Sequence, residues 1–217
     1  MDAKRDERAR GVWTRQEKDL LRGLDRPERI QAFLNEIPYN ADHQCRSPRR
    51  VMRDRVAHCM EGALFAAAAL RFHGYGCHLL DLQAEGDDDH VIAVYRRHGC
   101  LGALAKSNFA GLRCREPVYR TPRELAMSYF NDYFNVERAR TLRAFSRLID
   151  LTRFDRLQWM TTAEDLDPIG QALSRLAHTP LVTPTMIRSF SLVDDRSYQG
   201  NLLGANWDGL YKPSGTS

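Results

Sequence analysis

The chain predicts an α+β fold, with a central apolar helix packed on an antiparallel sheet, a helical N-terminal extension and an irregular C-terminal one. Three observations predict it. Between Cys59 and Phe72 the only charged residues are Glu61 and Arg71, so this helix is apolar nearly all round and belongs in the middle of a domain. Three strand-like runs follow in close succession, at residues 77–84, 90–97 and 101–109, separated by an acidic turn and by His98-Gly99. Helix followed by consecutive hairpin-linked strands is an α+β order rather than an alternating one.

The N-terminal forty residues read as helical. Thr14-Arg15-Gln16-Glu17 has the capping-box spacing ahead of Leu20, Leu21 and Leu24, and a second helix carries Ile30, Phe33 and Leu34. Ser47-Pro48 marks another helix start, because proline's fixed φ suits the first helical position and its missing N–H has no partner to lose there. That helix stops near Arg55, and 56–58 turn into the central helix, which Gly74 and Gly76 end.

Period two on the second strand places His90, Ile92 and Val94 on one face and Val91, Ala93 and Tyr95 on the other. A two-residue His98-Gly99 loop pairs Arg97 with Cys100 and sets His90 opposite Ser107; a three-residue loop sets it opposite Asn108. Farther on, residues 116–119 read as an edge strand, Thr121-Pro122-Arg123-Glu124 starts a helix, and Phe130, Tyr133 and Phe134 pack on the sheet. The last seventy residues read as a helical piece at 164–176, turns at Pro180 and Pro184, and a Gly-rich extended arm over 198–209, with Trp207 placed to line a cleft. The expected divisions are a helical extension at 1–46, a core at 47–135 and a C-terminal arm at 136–217.

Composition excludes several classes of function. The 32 basic residues, 28 of them arginine, are interleaved with 28 acidic ones, and a formal charge of +4 makes no strong basic field. The densest basic stretch, Arg46 to Arg55, lacks interleaved aromatic residues and reads as a solvated helix face, so no nucleic-acid partner is expected. The charged start of the chain, residues 1–8, has no apolar signal stretch, and no run reaches membrane-spanning length, so the expected setting is cytoplasmic without membrane contact. Five cysteines without a Cys-x-x-Cys pair suggest reduced thiols, most of them small core residues. Asp87-Asp88-Asp89 reads as an exposed loop, Lys106 as an exposed or rim residue, and no metal or other cofactor is expected.

Chemistry concentrates at Cys59 and His90. A thiol at a helix N-terminus faces the positive end of the dipole and free N–H groups, which favour the thiolate. An imidazole on a neighbouring strand completes such a nucleophile, and a third polar group holds the ring in the right tautomer. Lys106-Ser107-Asn108 delivers that third group, with Asn108 preferred and Ser107 the alternative. His58 flanks the pocket. The backbone N–H of Cys59 serves as one oxyanion donor, whereas Asn40 and Gln44 lie upstream without an assigned role.

With these residues in order, the chain resembles the transglutaminase-like branch of the papain-like cysteine enzymes over residues 47–112. The resemblance implies that a Cys59 thiolate paired with the His90 imidazolium attacks an amide or related acyl carbon of a peptide, protein or small amide. A thioester forms and passes its acyl group to water, as in a cysteine protease or amidase, or to an amine, as in acyl transfer. Members of that branch carry Asp at the third position and often an aromatic residue at the start of its strand, where this chain has Ser107-Asn108 and Leu101. The alternative from another class is a catalytically inactive domain of the same fold that binds a peptide or protein.

Overall fold

A computed structural model describes residue 7, residues 10–42 and residues 44–211. The charged start of the chain, residues 1–6 and 8, lies outside the described residues, and no described helix is long and apolar enough to cross a membrane.

The architecture is mixed α+β with one open, antiparallel sheet. Helices α1 (Arg15–Gly23), α2 (Pro27–Glu36) and α3 (Pro48–Asp54) lead into the central α4 (Cys59–Phe72). The Thr14 hydroxyl accepts from Glu17 N–H while the Glu17 carboxylate accepts from Thr14 N–H, so the capping box closes reciprocally. Strands β1 (His78–Ala84), β2 (His90–Arg97), β3 (Cys100–Leu104) and β4 (Arg115–Tyr119) follow, then α5 (Pro122–Met127), β5 (Leu142–Ser146) and β6 (Ile149–Asp150). The chain closes with α6 (Asp167–Ser174), β7 (His178–Pro180), α7 (Pro184–Arg188) and α8 (Asp195–Asn201). Strand order is β4-β3-β2-β1-β5-β7, with β6 also pairing β1.

The β2–β3 hairpin turns on two residues, His98 and Gly99, both at positive φ (51° and 78°), and Arg97 pairs with Cys100. The ladder ends at Ala93–Leu104, so residues 105–108 leave the sheet before reaching His90, which instead pairs with Leu82 of β1. The third strand is therefore shorter than its sequence suggests.

The sheet is covered on both faces. Val91, Ala93 and Tyr95 pack with α4, which is buried from Met60 to Arg71, and with α2, where Phe33 stacks on Phe65 at 4.5 Å between ring centroids. Ile92, Val94 and Leu82 pack instead with Leu125 of α5, Tyr129 and Tyr133. Strands β5 and β7 lie within the segment expected to be a C-terminal arm packed on the core, and they extend the central sheet beyond β1. Pro184 opens a helix rather than a turn, and the expected extended arm includes α8 and a 3₁₀ turn at Trp207–Gly209.

Lys106 is buried, contrary to the expected rim position. Its ammonium donates to the carbonyls of Leu34 and Ile37 at the C-terminal end of α2, which satisfies acceptors that the helix leaves open. Burial lowers its pKa to about 8. Its Cβ presses on Gly62 of α4, where an added Cβ would lie 2.3 Å away. Gly62→Ala is expected to lower stability in urea denaturation by about 1–3 kcal/mol through overpacking. Gly170→Ala, where the nearest neighbour of an added Cβ is 3.8 Å away, is expected to be neutral or stabilising by about 0.5–1 kcal/mol.

Candidate functional site

Glu61 organises the entrance to α4. Fully buried at the third helical position, its carboxylate accepts from the N–H groups of His58 (2.8 Å) and Arg46 (2.9 Å), from Asn40 Nδ2 (3.1 Å) and from the Arg46 guanidinium (3.0 Å). Four donors converge on two oxygens, so the carboxylate exchanges its water for charge-assisted bonds. Arg46 also binds Asp42, and that contact first among its causes holds the Asp42 carboxyl down to about 2. Arg49 pairs with Glu17, and Arg50 with Gln44. These arginines of the basic stretch are thus spent on tying α3 to its neighbours, not on a solvated face. The Asn40 amide is spent as a donor to Asp42 and Glu61, and Gln44 Oε1 accepts from Arg50.

Cys59 begins the helix that Glu61 anchors. The N–H groups of Val91 and Met60 face its sulfur, and Asp89 O lies 4.0 Å away. The helix N-terminus was expected to depress this thiol. Desolvation instead raises it to about 11, outweighing those N–H groups, and Asp88 and Asp81 add smaller upward contributions.

The sulfur abuts the backbone of β2 from the α4 side. His90 takes the other face, with Ile92 and Val94, in edge contact with Tyr129 and Tyr133 at 6.5 and 6.4 Å between centroids. Its Nε2 donates to Leu112 O at 2.8 Å, which leaves Nδ1 as the basic nitrogen of the neutral ring. Burial lowers the imidazole to about 4. No hydrogen bond joins Cys59 to His90 among the described residues, and burial displaces the thiol upward and the imidazole downward.

Asn108 does not hold the ring either. Its amide donates to the carbonyls of Asn206 (3.1 Å) and Gly209 (3.0 Å) and its oxygen accepts from Asn206 N–H (2.9 Å). Ser107 Oγ accepts from Phe109 N–H in a local turn. The carbonyl of Leu112 therefore takes the orienting role expected of a side chain.

All four residues nevertheless line one small cavity of about 40 Å³, together with Tyr39 and Leu112. Cys59 and Tyr39 also line a second cavity of about 500 Å³ whose walls include Asp81, Asp88, Leu173 and Ser174. Asp81 was not anticipated as a wall of this cavity. It is buried on the α4 face of β1, its carboxylate meets His178 Nε2 at 2.9 Å, and desolvation raises its pKa. Only the period-two alternation in β1 hinted at its orientation, because His178 lies 97 residues away. The acidic loop is pinned rather than free: Tyr133 Oη donates to Asp88 O, Asn135 Nδ2 to Gly86 O, and Thr141 Oγ1 to Asp87. Burial raises Asp87 to about 6.

No protein-family model and no curated protein matches the chain.

A native imidazole at about 4 binds fewer protons than an unfolded one between pH 4 and 6.5, so His90 stabilises the fold above that window and loses its contribution as pH falls through it. The full effect is about 3 kcal/mol. His90→Gln keeps an amide donor for Leu112 O without the titration. Its loss of thermal stability between pH 7 and 4.5 is therefore expected to be smaller than that of the native chain, with Asp87 common to both. Glu61→Gln presents a neutral amide to four donors and is expected to cost about 2–4 kcal/mol in chemical denaturation.

Proposed function

We propose that the chain carries out thiol-dependent acyl chemistry of the transglutaminase-like or papain-like kind, with Cys59 as nucleophile. One observation carries the reading: Cys59 stands at the junction of the two cavities, one large enough for an acyl substrate and the other lined by His90, Ser107 and Asn108. The N–H groups of Val91 and Met60 beside the sulfur favour its thiolate, the form that attacks.

In this reading the Cys59 thiol gives up its proton and attacks the carbonyl carbon of a peptide, protein or small amide. His90 Nδ1, the basic nitrogen, is the acceptor on the smaller cavity, reached by a shift of the ring or through a bridging water. The tetrahedral intermediate collapses with loss of the protonated amine, leaving a thioester on Cys59. Water or a second amine then releases the acyl group and restores the thiol.

The absence of a bond between Cys59 and His90, and a thiol held near 11, favour a second reading, a catalytically silent domain of the same fold that binds a peptide or protein in the larger cavity. The two are separated by acylation with p-nitrophenyl acetate, followed by mass spectrometry of the cysteine peptides. The enzyme reading expects a thioester on Cys59, with Cys59→Ala folded but without turnover, a loss of at least a hundredfold. Turnover retained in Cys59→Ala, or acetylation confined to exposed Cys114, moves the assignment to the binding module.

A further inference from the structure

The C-terminal segment crosses the site that the preceding elements build. After α8, Gly204 takes φ +75° and turns the chain back, with no atom within 4 Å of the position an added Cβ would occupy. Leu203 and Trp207 then point outward, 79% and 60% exposed, so neither anchors the segment by burial. Trp207 accordingly does not line the cleft. The anchors are polar: Asn108 makes the three bonds to Asn206 and Gly209 given above, and Asn206 Nδ2 donates to Tyr39 O at 3.1 Å. Gly209 lies so close to the Tyr39 ring that an added Cβ would come within 2.7 Å of it. Beyond that contact, Leu210 is buried, and Gly209, Leu210 and Tyr211 line both cavities beside Cys59.

We propose that residues 204–211 form a strap that narrows the approach to the half-buried Cys59, latched by Asn108 and hinged at Gly204, and that its release opens the thiol to larger substrates. Asn108 is then the latch of a gate. Most of the strap's anchoring is a handful of part-buried hydrogen bonds with little apolar burial, the composition of segments that open locally while the rest of the fold stays intact. Tyr39 carries the closure inward, since its ring meets Gly209 on one side and its hydroxyl faces the N–H and sulfur of Cys59 on the other. As regulation of an acyl site this rests on the reading of Cys59 given above; as a gate on thiol access it is tested without it.

The experiment uses the full chain carrying Gly209→Val, which levers the strap away from Tyr39, and separately Asn206→Ala, which removes the bond to Tyr39 O and is milder toward folding. Alkylation at pH 9 by iodoacetamide and by a bulky maleimide is followed at Cys59 by peptide mass spectrometry, with exposed Cys114 as the internal reference. Hydrogen exchange over 204–211 reports whether the strap has lifted. The expected result is faster exchange in the strap and a Cys59-to-Cys114 ratio at least tenfold above that of the native chain. The rise should be larger for the maleimide, since a gate discriminates by size and a changed thiol pKa does not. Faster exchange with an unchanged ratio overturns the gate, as does an equal rise for both reagents. Unchanged exchange in Gly209→Val overturns the strap itself. None of these outcomes depends on acyl turnover, so the gate and the enzyme reading fail separately.

Discussion

The Glu61 carboxylate is the constraint on which the site depends. A buried charge is tolerated only where donors replace its lost water, and here they come from the loop at Asn40, from Arg46 ahead of α3, and from the first turn of α4 itself. Three stretches of chain are thereby brought to one point, two residues along the helix from Cys59. Lys106 acts in parallel at the other side of the helix, reaching past Gly62 to the end of α2. With both buried charges satisfied, the N-terminus of α4 is held against the start of β2, and the position of the sulfur follows.

That position separates the sulfur from the imidazole by a strand. Alternation in β2 turns Val91 toward α4 and His90 away from it, so the two reactive groups meet the same small cavity from different faces of the sheet. Desolvation then displaces the thiol upward and the imidazole downward, each toward its neutral form. Neighbouring carboxylates at Asp81 and Asp88 reinforce the thiol's shift. The C-terminal segment borders the cleft beside the half-buried sulfur through Gly209, Leu210 and Tyr211.

Elements specified by short-range chemistry were legible. The Thr14–Glu17 capping box, Pro48 at a helix start, the apolar run of α4 and the two-residue turn at His98-Gly99 each express an interaction within a few residues. Features set by partners far along the chain were not. Strand β3 stops at Leu104 because Ala105 and Lys106 turn to Gln31 and α2, more than 65 residues upstream. Strands β5 and β7 are five and three residues long, too short for a periodic signal, and acquire their identity by pairing with β1 and with each other. Asn108 carried no mark of its attachment to Asn206, 98 residues later.

The sequence by itself determined the α+β class, the burial of α4, the cysteine at its head and which side chains of β2 share a face, because helical and strand periodicity are properties of consecutive residues. Tertiary structure alone decided which face of β2 the central helix covers, and hence that His90 packs beside Tyr129 and Tyr133 and is held by the Leu112 carbonyl. It also decided that the thiol is raised rather than lowered. Desolvation and charge at a sulfur depend on every segment packed around it, and those segments are drawn from residues 39 to 211.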